Sequence, residues 1–478
     1  MRCQTVTFGL LIVLMAASVP IRRACAQSQP IETAQSQSAP TDSSATADDT
    51  SLTMFPHADS SRYWLSGQAN VIFQWHPAFT SPYSGPNSLS APAQSSTSHV
   101  FTLYTGYELT DTTEVFLDLE DSTGPGIGGA LGLAGYTNLD VVRTAAGVVL
   151  SHKPYLARLL LRQIIPLSSE MVRVDRNFLG LATEVPKRRF EFWIGKFTIP
   201  DFLDMNGPGS DSHLQFMNWT VDANGAYDYA ANTRGYTDGA MLEYDDGRWT
   251  ARFIEALMPK IANGINLDAD IARARSENFE VDYNGGFLHH RDGAIRVLTY
   301  LNHADMGNYR EAIDEFLDGE SPLRPNIIAT RRQGRHKVGV GLNVEQNLTD
   351  RLRVFGRLGW GDGHNESFVY TEVDRALELG SDYRGAAWHR KNDKVGAAFS
   401  LNAISAAHRE YLALGGLGFL LGDGALSYGQ EKIVESYYNA HVWRGIFASY
   451  DFQHINNPGY NMARGPVLVN SLRFHFDF

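Results

Sequence analysis

Apolar and polar residues alternate along much of this chain, most clearly in its last eleven residues. In the segment 468–478 (LVNSLRFHFDF), leucine and phenylalanine dominate one parity, while serine, arginine, histidine and aspartate dominate the other. Alternate side chains of a strand point to opposite faces, so this strand has one apolar and one polar face. A soluble sandwich would turn the apolar face inward, whereas a transmembrane β-barrel turns it toward lipid. The C-terminal Phe478 favours the barrel.

The same period of two recurs in internal segments such as 114–120, 279–284, 338–348 and 446–453. Helical spacing of apolar residues fits none of them. Tight turns join many of the segments, and the Asp-Gly pair at 246–247 is a strong hairpin signal. The other connections are long. The pattern therefore predicts an all-β protein, a transmembrane antiparallel β-barrel with short periplasmic turns and long extracellular loops.

Fifteen strands can be assigned from this alternation. They are 62–75, 99–109, 114–121, 155–166, 188–199, 235–245, 248–257, 278–288, 293–303, 337–348, 351–361, 392–402, 436–443, 446–455 and 466–478. Because bacterial single-chain barrels have an even number of strands, we predict a sixteenth strand in the unassigned region 403–435, with 18 strands as the alternative. Within that region, 405–414 has helical composition and predicts a short cap at the periplasmic end of the barrel.

The N-terminal residues differ in composition from the rest of the chain. Residues 1–26 have a positive charge at Arg2, an apolar run over 8–21 and a small-residue site at 24–26, which together predict a secretory signal peptide. Residues 27–60 are rich in Gln, Ser, Thr and Ala and carry no Lys or Arg, so we predict a disordered periplasmic segment. Residues 61–478 form one barrel domain in this interpretation, since no low-complexity linker divides them.

The chain is acidic, with 41 Lys and Arg residues against 53 Asp and Glu residues and a formal charge of −12 at pH 7. Loss of the three arginines in residues 1–26 would change this charge to −15. Such a chain is not expected to bind nucleic acid, and its acidity argues against a net basic, anion-selective pore. Both cysteines, Cys3 and Cys25, lie in the predicted signal peptide, so we expect no disulfide or cysteine-bound metal in the mature protein.

Two motifs invite comparison with known nucleotide and metal sites. The segment 124–129 (GPGIGG) matches G-x-G-x-x-G, but a nucleotide site needs a following helix and a parallel sheet, so we interpret it as an external loop. Asp201, Asp204 and Asp211 lie close together, yet their spacing matches no EF-hand loop. We therefore predict neither a metal nor another cofactor and no enzyme activity, with a barrel-embedded hydrolase as a less favoured alternative.

Several longer blocks resemble the carbohydrate-selective porins of Gram-negative outer membranes. The resemblance runs from about Tyr63 to Phe478, and its most specific part is the glycine-rich segment 415–424. The other matching blocks are 193–197 (WIGKF), 201–206 (DFLDMN), 215–219 (QFMNW), 227–230 (YDYA), 234–236 (RGY), 258–260 (MPK), 302–309 (NHADMGNY), 407–411 (AHREY), 456–461 (NNPGYN) and 464–466 (RGP).

This resemblance implies an outer-membrane porin that allows passive diffusion of neutral mono- or oligosaccharides into the periplasm. The implied partners are the saccharides, outer-membrane lipid and lipopolysaccharide, and the barrel-assembly machinery, which would recognise Phe478 at the end of the closing strand. Monomer and trimer both stay open. An anion- or phosphate-selective porin, or a general porin, is the alternative function.

Residues of the polar parity are the candidates for the pore lining. An arginine on the lipid face at mid-bilayer costs about 2–4 kcal/mol, so charged side chains are expected to point inward. We expect Trp193 to offer a stacking surface for a sugar ring. The predicted pore-lining and substrate-binding residues are Asp118, Glu120, Arg158, Arg162, Glu191, Trp193, Arg252, Glu280, Asp282, Arg353, Arg357 and Arg473.

Overall fold

The computed structural model describes residues 52–57, 61–141, 150, 153–288, 291–369 and 371–478. The predicted signal peptide and most of the predicted disordered segment lie outside the described residues. Residues 52–57 pack on the barrel, because the Met54 amide donates to the carbonyl oxygen of Asp477 at 2.8 Å.

Sixteen antiparallel strands close into a barrel, which confirms the predicted fold class and strand number. The barrel strands are β1 (Tyr63–His76), β2 (Gln94–Thr110), β3 (Thr113–Thr123), β4 (Tyr155–Pro166), β7 (Arg189–Phe197), β8 (Thr237–Asp245), β9 (Trp249–Leu257), β10 (Arg275–Asn284), β11 (Gly293–Met306), β12 (Arg332–Asn347), β13 (Leu352–Gly361), β14 (Arg375–Arg384), β15 (Lys394–Ala403), β16 (Glu431–Trp443), β17 (Ile446–Asn456) and β18 (Val467–Asp477). Two short strands, β5 (Met171–Arg173) and β6 (Glu184–Pro186), form a separate hairpin. Closure pairs β1 with β18, so that Val71 lies opposite Phe474.

The predicted position of the sixteenth strand is wrong. The strand absent from our assignment is β14, whereas the connection 404–430 between β15 and β16 contributes none to the barrel. In β14 the outward face carries two strong apolar markers, Leu377 and Leu379, and Gly380 and Ser381 then interrupt the pattern. Its alternation was therefore too short to detect.

The two ends of the barrel differ in their connections. At the short-turn end, where β1 begins and β18 finishes, turns such as 246–248 and 348–351 join neighbouring strands. At the opposite long-loop end, connections such as 198–236 and 404–430 are much longer. The helix predicted at 405–414 forms as α3 (Ala406–Ala413), but it lies at the long-loop end and not at the predicted periplasmic end.

Two further helices lie in the loops, α1 (Trp219–Asp222) and α2 (Tyr309–Leu317). In each of the three helices the preceding Asn or Ser side chain accepts a hydrogen bond from a first-turn amide, which satisfies one of the otherwise unpaired N–H groups. No helix in the described part of the chain has the length and apolar character needed to cross a membrane.

The strand faces have opposite character. Outward side chains such as Leu103, Leu159 and Phe253 are 45%, 45% and 44% exposed and form the apolar surface that lipid covers. Inward side chains are mostly polar and buried, including Asp118 and Arg473, which are fully buried. Buried charges need partners. The segments that fold into the barrel supply many of them.

Several of the described connections enter the barrel interior, and three of them border the space that stays open there. The first, residues 198–236 between β7 and β8, enters from the long-loop end and is called the inner loop. The second, residues 167–188 between β4 and β7, carries β5 and β6 at the short-turn end and is called the turn hairpin. The third, the described residues 124–141 between β3 and β4, accepts hydrogen bonds from the inward residues Asn70 and Gln74. All three contact inward side chains of the strands, and together they border the open space.

Candidate functional site

The inner loop is held by carboxylates that project from the opposite strands. Glu280 accepts a hydrogen bond from the Asp204 amide at 2.9 Å, and Glu378 accepts one from the Gly225 amide at 2.9 Å. Glu435 accepts from the amide of Met217 at 2.6 Å. Buried backbone N–H groups require acceptors, and the carboxyl oxygens of these side chains supply them. These inward carboxylates therefore anchor the loop backbone.

Two arginines bind the carbonyl side of the same loop. Arg357 donates to the carbonyl oxygens of Val221 and Asp222 at 2.8 and 2.9 Å, and it forms an ion pair with Asp204 at 3.2 Å. Arg473 donates to the carbonyl oxygens of Ser212 and Gln215 at 2.6 and 2.9 Å. Side chains that sequence patterning places in the pore thus hold the inner loop in place.

A cavity of about 720 Å³ remains between the inner loop and one side of the barrel. Its strand residues come from β18 and from β1 to β4. The inner loop, the turn hairpin, residues 139–141 and residues 53 and 57 complete it. Aromatic side chains on its surface are Trp64, Tyr104, Phe178, Trp219, Tyr229 and Tyr236. Its charged side chains are Glu120, Asp140, Asp201, Asp204, Asp211, Asp222, Asp477, Arg158, Arg176 and Arg234.

Arg158 connects several residues of the cavity wall, both charged and aromatic. Its guanidinium donates two hydrogen bonds to Asp201 of the inner loop, at 2.7 and 2.8 Å, and one to Asp118 at 3.2 Å. The rings of Phe178 and Tyr236 lie 5.3 and 5.6 Å from its Cζ atom. A bidentate pair of this kind fixes the orientation of the guanidinium, so the remaining donor surface is presented in a defined direction.

Glu120 lies beside this group of residues. Tyr236 donates its phenol hydroxyl to the Glu120 carboxylate at 2.7 Å, and Tyr155 donates to the same carboxylate. Arg234 packs over the Tyr155 ring, with 3.6 Å between its Cζ atom and the ring centroid. The cavity therefore combines aromatic faces with hydrogen-bonding groups whose directions are set by their neighbours.

Two groups of the inner loop have shifted pKa values. Burial raises the pKa of Asp222 to about 8, with a further increase from Asp211 that the nearby Arg357 opposes. For His213, burial opposes the charged form, but the Asp140 carboxylate at 3.7 Å raises the pKa above its usual value. At neutral pH, Asp222 is thus protonated, whereas the nearby Asp140 carboxylate stabilises the charged form of His213.

Of the twelve predicted site residues, the structure places two on the cavity surface, Glu120 and Arg158. Asp118, Glu280, Arg357 and Arg473 make the contacts given above. Arg162 binds Glu191 through two hydrogen bonds of 2.8 Å. The remaining charged residues pair across strands, Arg252 with Asp282 and Arg353 with Asp382.

Trp193 lies away from the cavity surface and is 4% exposed. Its ring packs on Phe116 at 6.0 Å and on Phe202 at 5.1 Å, and the Arg162 guanidinium lies 5.0 Å from it. Both its neighbours and its burial indicate a packing role. A sugar cannot reach the ring in this arrangement.

Sequence reasoning missed most of the cavity surface. Phe178 lies in the turn hairpin, and Tyr229, Tyr236 and Trp219 lie in the inner loop, where strand parity says nothing about direction. Trp64 and Tyr104 are the exceptions, because Trp64 shares the inward parity of Gln68 on β1 and Tyr104 that of Thr102 on β2. Extending the parity argument from charged to aromatic residues would have found both.

A closed antiparallel barrel whose interior is narrowed by an inward-folded loop defines an outer-membrane channel of the porin class. Residues 102–478 match the family model described as carbohydrate-selective porin, OprB family, and the chain belongs to that family. No curated protein sequence matches the chain.

Solved structures share the fold at low sequence identity. The high-pH structure of Pseudomonas putida OprB is 14% identical, covers 87% of this chain and 94% of its own, and superposes with a TM-score of 0.65. The outer membrane channel DcaP of Acinetobacter baumannii is 9% identical, with coverage of 87% and 97% and a TM-score of 0.46. The family is that of carbohydrate-selective porins, and the fold is that of outer-membrane channels.

Proposed function

We propose that this porin allows passive diffusion of carbohydrates, neutral mono- or oligosaccharides, through the cavity into the periplasm. The observation that carries the proposal is the composition of the cavity surface at Arg158. There, aromatic rings adjoin a guanidinium and a carboxylate, Glu120, that are held in place by other protein groups. A sugar has an apolar ring face and polar hydroxyls, so it fits a surface of this kind.

The charge of the surface opposes the anion- or phosphate-selective alternative. Among the described residues, seven Asp and Glu side chains border the cavity against three arginines, and six of the seven are left when the protonated Asp222 is set aside. One of these arginines, Arg158, is already neutralised by Asp201 and Asp118. A pore for phosphate would present unpaired positive charge instead. The family description, carbohydrate-selective porin, agrees with the proposed neutral-sugar substrate.

Purified protein reconstituted in a planar lipid bilayer tests the proposal. We expect a stable salt current that glucose reduces in a concentration-dependent way, because a sugar held at the cavity excludes ions. A current that glucose leaves unchanged, together with block by phosphate, would support the anion channel instead.

A further inference from the structure

The turn hairpin differs from the other connections at the short-turn end because it folds into the barrel. Leu181 is 1% exposed and lies in the same apolar cluster as Phe116 and Trp193. On the other side of its tip, Arg176, Asn177 and Phe178 border the cavity. The cavity is thus shaped from the long-loop end by the inner loop and from the short-turn end by this hairpin.

The tip of the hairpin is rigidly held. Asn177 and Gly180 exchange backbone hydrogen bonds of 2.9 and 3.2 Å, which closes a tight turn around Phe178. Glu114, an inward residue of β3, accepts hydrogen bonds from the amides of Leu181 and Ala182 at 3.1 and 2.8 Å. The position of Phe178 is therefore set by the barrel wall.

A buried ion-pair network in the barrel wall holds the Glu114 side chain in place. Arg162 donates to Glu114 at 2.9 Å and to Glu191 at 2.8 Å, and Trp193 packs against the same guanidinium. On the opposite side of the turn, Arg176 donates to the carbonyl oxygen of Ser61 at 2.8 Å. Arg162, Glu191 and Trp193, which sequence patterning assigns to sugar contact, therefore stabilise the position of the turn hairpin.

Phe178 lies beside the polar centre of the cavity. Its ring centroid is 5.3 Å from the Cζ atom of Arg158 and 4.6 Å from the ring of Tyr104. Both neighbours belong to the strand wall, on β4 and β2, while the ring also forms part of the cavity surface. An aromatic face and a guanidinium are thus presented together, at a fixed separation.

We propose that Phe178 is a specificity-determining residue, whose ring packs against the apolar face of a pyranose while Arg158 binds the sugar hydroxyls. The inference rests on the proposed sugar transport and names the surface that recognises a cyclic sugar. Aromatic stacking requires a ring face in the ligand, whereas hydrogen bonding requires only hydroxyls. Cyclic sugars and acyclic polyols of similar hydroxyl number should therefore respond differently to the loss of the Phe178 ring.

The test compares block of the single-channel current by glucose and by sorbitol, its acyclic reduction product. In the variants Phe178→Leu and Phe178→Met, which keep apolar volume, we expect the half-blocking concentration of glucose to rise several-fold. The half-blocking concentration of sorbitol should stay as in the wild type. In Phe178→Tyr, which keeps the ring, the half-blocking concentration of glucose should equal that of the wild type.

Phe192→Leu is the matched control, because it makes the same exchange at an outward residue of β7 that is 37% exposed. Heat-modifiable migration in gels confirms that each variant is assembled. Unchanged glucose block in the Leu and Met variants would overturn the inference, and so would an equal loss of glucose and sorbitol block, since Phe178 would then act only by supporting Arg158. A wild-type current that glucose does not block would overturn the proposed function itself.

Discussion

The wall formed by β18 and β1 to β4 supplies the strand side chains that border the cavity, although its Arg473 also holds the inner loop. The wall formed by β7 to β17 supplies none of them among the described residues, and many of its inward side chains contact loops. We call these the open wall and the filled wall. Both carry charged inward residues, such as Arg158 on the first and Arg357 on the second. On the filled wall, those charges bind backbone groups of the inner loop. An inward charge in this barrel therefore acts on the pore in one of two ways. It borders the cavity, as Arg158 does, or it holds a loop inside the barrel, as Arg357 does.

The filled wall also carries apolar packing against the inner loop. Phe216 of the inner loop is fully buried and packs against Tyr437 and Phe355, with ring centroids 4.9 and 5.9 Å away. Ala398 completes this cluster. The inner loop thus behaves as part of a core on one side and as a pore surface on the other. The following predictions test this division.

The largest effect is expected for Arg357→Met. Removal of the guanidinium leaves Asp204 and Glu378 without their ion pair and frees three loop carbonyls. Breaking a buried pair in this way costs about 3–5 kcal/mol. We expect lower resistance to urea and, in assembled channels, a higher conductance because the inner loop is released. Arg62→Met is the control, since Arg62 pairs with Asp111 on the exposed surface. Wild-type conductance in Arg357→Met would show that the loop is held by other contacts.

The second prediction separates two arginines of the same strand. Arg158→Ala should weaken glucose block several-fold, because Arg158 borders the cavity. Arg162→Ala should chiefly lower stability, because it leaves Glu114 and Glu191 without their partner in the ion-pair network that holds the turn hairpin. Urea unfolding and current block, measured on both variants, check this. Equal loss of glucose block at unchanged stability would place Arg162 in the sugar site after all.

The third prediction adds volume to each wall. Ala398→Leu should destabilise the barrel by about 1–3 kcal/mol, since it forces a larger side chain into the Phe216 cluster. Ser122→Leu, at the cavity surface on β3, should leave stability nearly unchanged and lower the conductance. Urea unfolding and single-channel conductance measure the two effects. The reverse outcome, a stable Ala398→Leu and an unfolded Ser122→Leu, would contradict the assignment of the walls.

Strand parity predicts the barrel from sequence because each strand repeats one physical requirement, apolar toward lipid and polar toward the interior. It also predicts that Arg158 and Arg357 share an orientation. It cannot separate their roles, because the difference depends on where residues 198–236 fold. Those contacts join residues more than a hundred positions apart, such as Arg357 and Val221. Strand parity cannot predict the role of Phe178 for the same reason, since tertiary contacts of the turn hairpin determine where its side chain points.

The smallest effect concerns pH and Asp222, which lies on the inner loop between the two walls. Its pKa, raised to about 8 by burial, lies far above that of an aspartate in the unfolded chain. The folded protein therefore binds the extra proton between those two values, and this contribution to stability is lost as pH rises through about 8. Above that pH the carboxylate ionises and adds negative charge to the cavity, so we expect the current to become more selective for cations. Reversal potentials in a salt gradient, measured below and above that pH, should shift in the wild type and in the exposed control Asp111→Asn but not in Asp222→Asn. If Asp222→Asn shifts as the wild type does, another cavity group must titrate there.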